Sequence, residues 1–329
     1  MEETRDKVLV IGATGAIGQK LLEGLIRTLG NRTVIAAIHR TPLPNHIQDN
    51  VIVEAGFNIR EEESIRRLFA KHGRYIQHVW NLAAPLSVDT AKDPSSAHDI
   101  TVGGMQRVLS CMLEYGVTSI LFSDSIGSFG GSSPRENATA TWLEGNPTQD
   151  PGSDYGIQKR QCREAMKQYA DNHGFRARYA IIPGVLHTQS SWGGGTTEYA
   201  LDAMAAAVAK QHYVCPVPLH VSLPMIHIDD LIVGMVALMQ CRNKETYRGY
   251  ALAGFSFTPL ILFEELQKHF PNFTYEYNEH VNPNVAKFAQ LWPDSLCREE
   301  AHARINFLAQ RGLADTVSDI ISAHQGRLG

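Results

Sequence analysis

Lys7-Val8-Leu9-Val10-Ile11-Gly12-Ala13-Thr14-Gly15-Ala16-Ile17-Gly18 is an apolar run that ends in three spaced glycines. Beyond it, Leu21, Leu22, Leu25, Ile26 and Leu29 recur at helical spacing. The pattern reads as a buried strand, a tight turn and the N-terminus of a helix. Backbone without side chains at the turn lets N–H groups and the positive end of the helix dipole approach a pyrophosphate, while Gly18 lets the helix close on the strand. Glycine turns also join strands to helices that bind nothing. The weight of this one comes from its place, directly behind the first strand.

Working outward, strand-like runs at 7–11, 33–38, 51–54, 77–82, 118–123 and 177–182 alternate with helical patterns near 16–29, 61–72, 95–115 and 155–173. This alternation predicts an α/β fold, a doubly wound parallel sheet of Rossmann type with about seven strands and helices on both faces. The pattern changes after Pro183-Gly184, where Ser190 to Thr197 is loop material and an alanine-rich helix follows at 198–210. Ile226-His227-Ile228-Asp229-Asp230 leads into a helix at 230–240, and 247–252 has the character of a further strand. The expected organisation is a dinucleotide-binding lobe of 1–185 and 226–255 and a smaller substrate-binding α/β lobe of 186–225 and 256–329. The cleft between them is the expected site.

Composition bounds the function. The 329 residues are 43% hydrophobic and carry a formal net charge of -4, with no basic run, so nucleic acid and anionic membrane are not the expected partners. The acidic start runs directly into the first strand and no apolar stretch reaches membrane-spanning length, so the expected location is cytoplasmic. Five cysteines form no Cys-x-x-Cys and read as reduced thiols. Fourteen histidines include no pair at ligand spacing, and no metal is expected.

Two further features carry chemistry. In Tyr155-Gly156-Ile157-Gln158-Lys159 the phenol and the ammonium share a helix face. A cation beside a phenol favours the phenolate and makes tyrosine a usable acid and base. Ser123-Asp124-Ser125 ends the fifth strand. Ligands of open α/β sheets sit at such carboxyl ends, so Ser125 is placed to bond a reacting oxygen; a helix cap is its plainer reading.

Together these features resemble the extended short-chain dehydrogenases/reductases over nearly the whole chain. The resemblance puts the nucleotide loop at Gly12, Thr14, Gly15, Ala16, Ile17 and Gly18, with Leu82, Ala83 and Ala84 of Asn81-Leu82-Ala83-Ala84 beside the cofactor. It implies a triad of Ser125, Tyr155 and Lys159, and a nicotinamide-side loop at Pro183-Gly184. The second half is most similar to short-chain-type L-threonine 3-dehydrogenases, on Gly193 to Ala200, Val214 to Val217, Ser222 to Met225, Ala253 to Phe257 and Leu291 to Ser295. That likeness implies substrate contacts at Ser87, Thr197 and Trp292, besides Ser125 and Tyr155. Without it, Trp292 reads as a packing aromatic and Thr197 as a cap.

Departures from the family pattern modify the expectation. Ile38, followed by His39 and Arg40, stands where an Asp bonds the adenosine ribose in NAD-specific members, which tilts the cofactor, NAD or NADP, toward NADP. Asn58, before Ile59, replaces an Asp at the adenine; Thr101 replaces an Asn; Ile181 replaces an Arg. The expected activity is hydride transfer from the β-hydroxyl carbon of L-threonine or a similar small 3-hydroxy amino acid. A sugar-nucleotide dehydratase would need an acidic pair after Ser125, where Ile126-Gly127 stands. A sugar-nucleotide epimerase and a non-catalytic nucleotide sensor are the alternatives, the sensor disfavoured because Tyr155 and Lys159 are both kept. The resemblance also implies a homodimer through 95–115 and 155–173, with Val102, Val108, Leu109, Met112, Cys162 and Met166 as the apolar face.

Overall fold

The computed structural model describes residues 5–189 and 194–326; Ser190 to Gly193 of the predicted loop lie outside the described residues. Strands β1 (Lys7–Ile11), β2 (Val34–Ile38), β3 (Ile52–Ala55), β4 (Ile76–Asn81), β5 (Ser119–Ser125) and β6 (Arg176–Ile182) follow the predicted alternation within a residue or two. After them come β7 (Gly184–Leu186), β8 (Tyr213–Cys215), β9 (Leu223–His227), β10 (Tyr247–Ala251), β11 (Phe255–Phe257) and β12 (Tyr275–Tyr277). The main sheet has seven strands in the order β10-β6-β5-β4-β1-β2-β3, and each pairing in it is parallel. Strands covered on both faces must be apolar throughout, and Val8 to Ile11 and Val34 to Ile38 are all buried. The strand order reverses between β1 and β4, and the crevice outside their carboxyl ends is where such sheets place ligands.

Helix Ala16–Leu29 crosses from β1 to β2 and packs on helix Ile228–Gln240, where Gly24 leaves no room beside Ile232: a Cβ there would meet its Cγ2 at 2.4 Å. The second helix starts two residues earlier than predicted because the His227 ring accepts the Asp229 N–H at 3.2 Å and caps it. The smaller sheets are β11-β9-β7 and β12-β8, and β9 runs across the expected lobe boundary at 226.

Two expectations change. The helix predicted over 95–115 is three segments: Pro94–His98, a wide π-helical turn Asp99–Gly103, and Gly104–Glu114. Asp99 at the turn is bonded by Arg107 at 2.6 Å and by Arg60 at 2.8 Å, while Gly104 packs against Ile59. The apolar positions offered as a pairing face are interior. Val102, Val108, Leu109, Met112, Cys162 and Met166 are each 4% exposed or less. What these helices show to solvent includes Gln106, Ser110, Leu113, Glu164, Lys167 and Asp171, so the six positions offered do not supply an exposed pairing face. All five cysteines are free thiols. No helix among the described residues is long and apolar enough to cross a membrane.

Burial of His78 ties stability to pH. His78 on β4 bonds Ser119 at 2.7 Å, and burial, then Arg176 and Arg178, push its pKa from 6.5 down to about 4. Between those values the unfolded chain binds a proton that the native chain refuses, so stability falls as pH drops through that window. Thermal melts from pH 7 to pH 4 should show a shallower fall for His78→Asn than for the wild type. Parallel curves would mean that His78 is not the group responsible.

Candidate active site

The carboxyl ends of β1, β4, β5 and β6 open on a cavity of about 290 Å³. Gly12, Gly15, Ala16, Ile17, Gly18, Leu82 and Ala84 line one part of it, and Ser87, Ser125, Tyr155, Lys159, Pro183, Thr197 and Trp292 line the rest. Most of the residues singled out by sequence therefore share one space.

The glycine loop is shaped by close approach. Gly12 has φ +82°, and a Cβ on it would sit 3.0 Å from the Ala83 nitrogen; one on Gly18 would sit 2.3 Å from the Gly12 carbonyl oxygen. Ala83 is held in place through its N–H, which donates to Asn81 Oδ1 at 3.3 Å. Gly15 precedes helix Ala16–Leu29, and no side chain caps that helix. An uncapped helix N-terminus opening on a cavity across bare backbone fits a dinucleotide pyrophosphate.

Thr14 does not line the cavity; its carbonyl accepts the Gln19 side chain at 2.8 Å. His39 and Arg40 stand exposed just past the end of β2, and neither side chain has a hydrogen bond or ion pair among the described residues. Asn58 is occupied locally, donating to Glu61 Oε1 at 2.7 Å and accepting the Arg60 N–H at 3.2 Å. Ile59 packs into the core under Gly104.

Tyr155 and Lys159 sit near the start of helix Asp154–His173, which Ser153 caps by accepting the Gly156 N–H at 3.2 Å. The buried Lys159 ammonium donates to the Ser123 carbonyl at 2.6 Å, and lies 4.7 Å from the Phe122 ring centre and 5.4 Å from that of Tyr155. Ser125 performs the plainer task weighed for it: its Oγ accepts the Gly127 N–H at 3.1 Å and caps the short turn Ile126–Ser128. Its own hydroxyl proton stays available to a reacting oxygen. The turn and the helix touch through backbone. A Cβ on Gly156 would lie 2.1 Å from the Gly127 oxygen, and one on Gly127 would lie 2.8 Å from the Tyr155 ring and 3.3 Å from Trp292.

The small-lobe residues are also tied in. Ser87 Oγ accepts the Thr196 N–H at 3.1 Å, and the two hydroxyls lie 3.0 Å apart. Thr197 packs on Gly184, where a Cβ would sit 2.7 Å from its own Cβ. Trp292 is buried, and its indole N–H has no partner among the described residues. Its segment is anchored by Arg135, which bonds Asp294 through Nη2 at 2.5 Å. Sequence reasoning passed over His187, Thr196 and Glu198, which line the same cavity, and over Asp124. It also passed over Arg163, which the spacing 155, 159, 163 marks as the next position on the same helix face. Burial alone would suppress the Arg163 charge, but the Asp124 carboxylate beside it holds the guanidinium's pKa above its ordinary value. Burial pushes the neighbouring Cys162 thiol up to about 12, so it is inert at neutral pH.

A family model described as the NAD dependent epimerase/dehydratase family matches residues 8–253. Among solved structures, a partial-consensus L-threonine 3-dehydrogenase superposes with a TM-score of 0.86 at 29% identity, covering 97% of this chain and 99% of that one. The holo form of a GalE-like L-threonine dehydrogenase from Cupriavidus necator gives 0.84 at 29% identity, covering 96% and 99%. An uncharacterized epimerase/dehydratase of Staphylococcus aureus is 29% identical over 293 residues, 88% of each chain.

The backbone contact at Gly156 gives a direct test. Gly156→Ala forces a methyl against the Gly127 carbonyl, and overpacking of this kind costs about 1–3 kcal/mol. Thermal denaturation should show the loss. An unchanged melting temperature would mean that the turn yields freely.

Proposed function

The chain belongs to the NAD dependent epimerase/dehydratase family, is an enzyme of the extended short-chain dehydrogenase/reductase type that works with a nicotinamide cofactor, and from that premise we propose that it oxidises the β-hydroxyl of L-threonine or a close 3-hydroxy amino acid. The observation that carries the reading is the convergence of Tyr155, Lys159 and Ser125 with the glycine loop in one cavity, which Ser87, Thr197 and Trp292 also line. On this reading residues 1–185 and 226–255 form the nucleotide lobe, and 186–225 and 256–329 the substrate lobe.

Gly12, Gly15 and Gly18, with the N-terminus that starts at Ala16 and Ile17, hold the cofactor's pyrophosphate. Leu82, Ala83 and Ala84 flank it, and Pro183 borders the nicotinamide. A bound nicotinamide supplies the hydride acceptor, so that a 3-hydroxyl becomes a 3-ketone and L-threonine gives 2-amino-3-ketobutyrate. Tyr155 takes the proton of the substrate hydroxyl as its carbon–hydrogen bond breaks. Lys159, held by the Ser123 carbonyl, lies 5.4 Å from the Tyr155 ring centre and keeps a positive charge beside the proton acceptor. Ser125 donates to the substrate oxygen and keeps it facing the phenol. Ser87 and Thr197 bind the carboxylate and amine, and Trp292 closes the pocket against water.

Tyr155→Phe removes the proton acceptor with little change of shape, so turnover should fall by roughly 10²–10⁴-fold while cofactor still binds by fluorescence titration. Near-normal turnover would sink the mechanism. A panel of 3-hydroxy amino acids and sugar nucleotides, followed by cofactor reduction, separates this reading from an epimerase or a sensor. No reduction with any 3-hydroxy amino acid would overturn the substrate assignment.

The cofactor follows from the end of β2. Ile38 brings no carboxylate to the adenosine ribose, and the exposed guanidinium of Arg40, with the His39 ring beside it in sequence, suits a 2′-phosphate. NADP should bind at least as well as NAD, and Ile38→Asp with Arg40→Ala should move the preference to NAD. A wild-type preference for NAD of about tenfold, about 1.4 kcal/mol, contradicts the charge argument.

A further inference from the structure

Three consecutive residues of β5 meet three consecutive turns of helix Asp154–His173. The Ser123 carbonyl accepts Lys159 at 2.6 Å, the Asp124 carboxylate accepts Arg163 at 2.5 Å, and Ser125 lies in the cavity with Tyr155. Tyr155, Lys159 and Arg163 share a helix face at intervals of four. Asp124 reaches further still: its second carboxylate oxygen accepts the Ser128 hydroxyl at 2.5 Å, at the end of the turn that Ser125 caps. One carboxylate thus joins the strand, the turn after the serine proposed to bond the substrate oxygen, and the helix that carries the proposed base.

The ion pair is fully interior, with Asp124 1% and Arg163 4% exposed. Stability does not account for it. Taking two charges out of water is costly, and a well-packed apolar pair of the same volume often serves a fold as well or better. An apolar pair cannot give direction. A guanidinium bonded to a carboxylate fixes the rotation and axial position of the helix to within a hydrogen bond's tolerance. The guanidinium also neutralises a carboxylate that stands next to Ser125 in the strand.

We propose that Asp124 and Arg163 are positioning residues that set the register of helix Asp154–His173 on β5, and so the geometry at which Tyr155, Lys159 and Ser125 meet. The inference rests on the triad reading above. A misplacement of about 1 Å in such a constellation costs on the order of 10²-fold in rate.

The test compares wild type, Arg163→Met, Arg163→Lys and the neutral double variant Asp124→Asn with Arg163→Met. Arg163→Met should lower kcat by about 10–100-fold with KM and cofactor binding nearly unchanged, and it should lose thermal stability because Asp124 is left unpaired. The double variant should regain most of that stability without regaining kcat, and Arg163→Lys should recover part of kcat. A double variant that melts and turns over like wild type would overturn the inference, because the pair would then be structural alone. Should Arg163→Met not fold, the double variant and Arg163→Lys decide in the same way. Crystal structures of wild type and the double variant provide an arm that needs no substrate: Tyr155 should move relative to Ser125, and coincident positions would overturn the inference. A wild type inactive on every 3-hydroxy amino acid would defeat the substrate reading, and the structural arm would still decide this one.

Discussion

The site depends on how closely one helix is allowed to lie on one strand end. At Gly156 and Gly127 two backbones meet with no room for a methyl between them. That contact brings the first turn of helix Asp154–His173 down onto the turn that leaves β5, and Tyr155 with it. The pairing of Asp124 with Arg163 repeats the constraint two turns further along, through charge. The cavity's other wall obeys the same rule, since Gly12, Gly18 and Ala83 touch through backbone. Close packing leaves such contacts no slack. The side chains of the candidate site project from surfaces whose separation is set by missing side chains.

Charge inside the cavity is tightly accounted for. Lys159 is bound to a carbonyl and Asp124 to Arg163, and Glu198 accepts the Gly195 N–H at 2.9 Å. Arg40, exposed and without a hydrogen bond or ion pair among the described residues, stands outside the cavity, where the sheet's second strand ends. The end of β2 and the buried charges of the cavity thus lie in different parts of the chain.

Much of this was legible before any coordinates. The strand–glycine–helix signature, the strand alternation and the Tyr155/Lys159 spacing are local patterns, and local periodicity reports local geometry directly. What escaped depends on distant partners. The break at Asp99–Gly103 involves Arg60, which is 39 residues from Asp99 in sequence. The apolar positions of 95–115 and 155–173 were rightly seen as a buried face, yet periodicity does not say whether a sheet or another molecule covers it. Here the chain itself does, at Val102, Leu109 and Met166. Asp124 and Arg163 were invisible for the same reason: a carboxylate beside a serine and an arginine one turn past a lysine become a pair only when strand and helix are laid together. Ser125 shows the opposite case, since the capping role was readable and its Oγ fills it while the residue also lines the cavity.

The position of β10 has a consequence for how the chain assembles. It pairs with β6, Tyr247 opposite Ala177, so some seventy residues separate partners that must lie side by side. Closing a loop of that length pays its entropy before any contact repays it. The stretch between them contains β7, β8 and β9, so the large sheet gains its last strand only after the chain has left it, started the smaller sheets and returned. Synthesis from the N-terminus releases the nucleotide-loop half first, with the outer edge of β6 bare, and a bare parallel edge invites foreign strands. The return of Tyr247–Ala251 moves that edge outward to β10, where the Gly249 N–H donates to Glu144 Oε1 at 2.7 Å and is no longer open to a foreign strand.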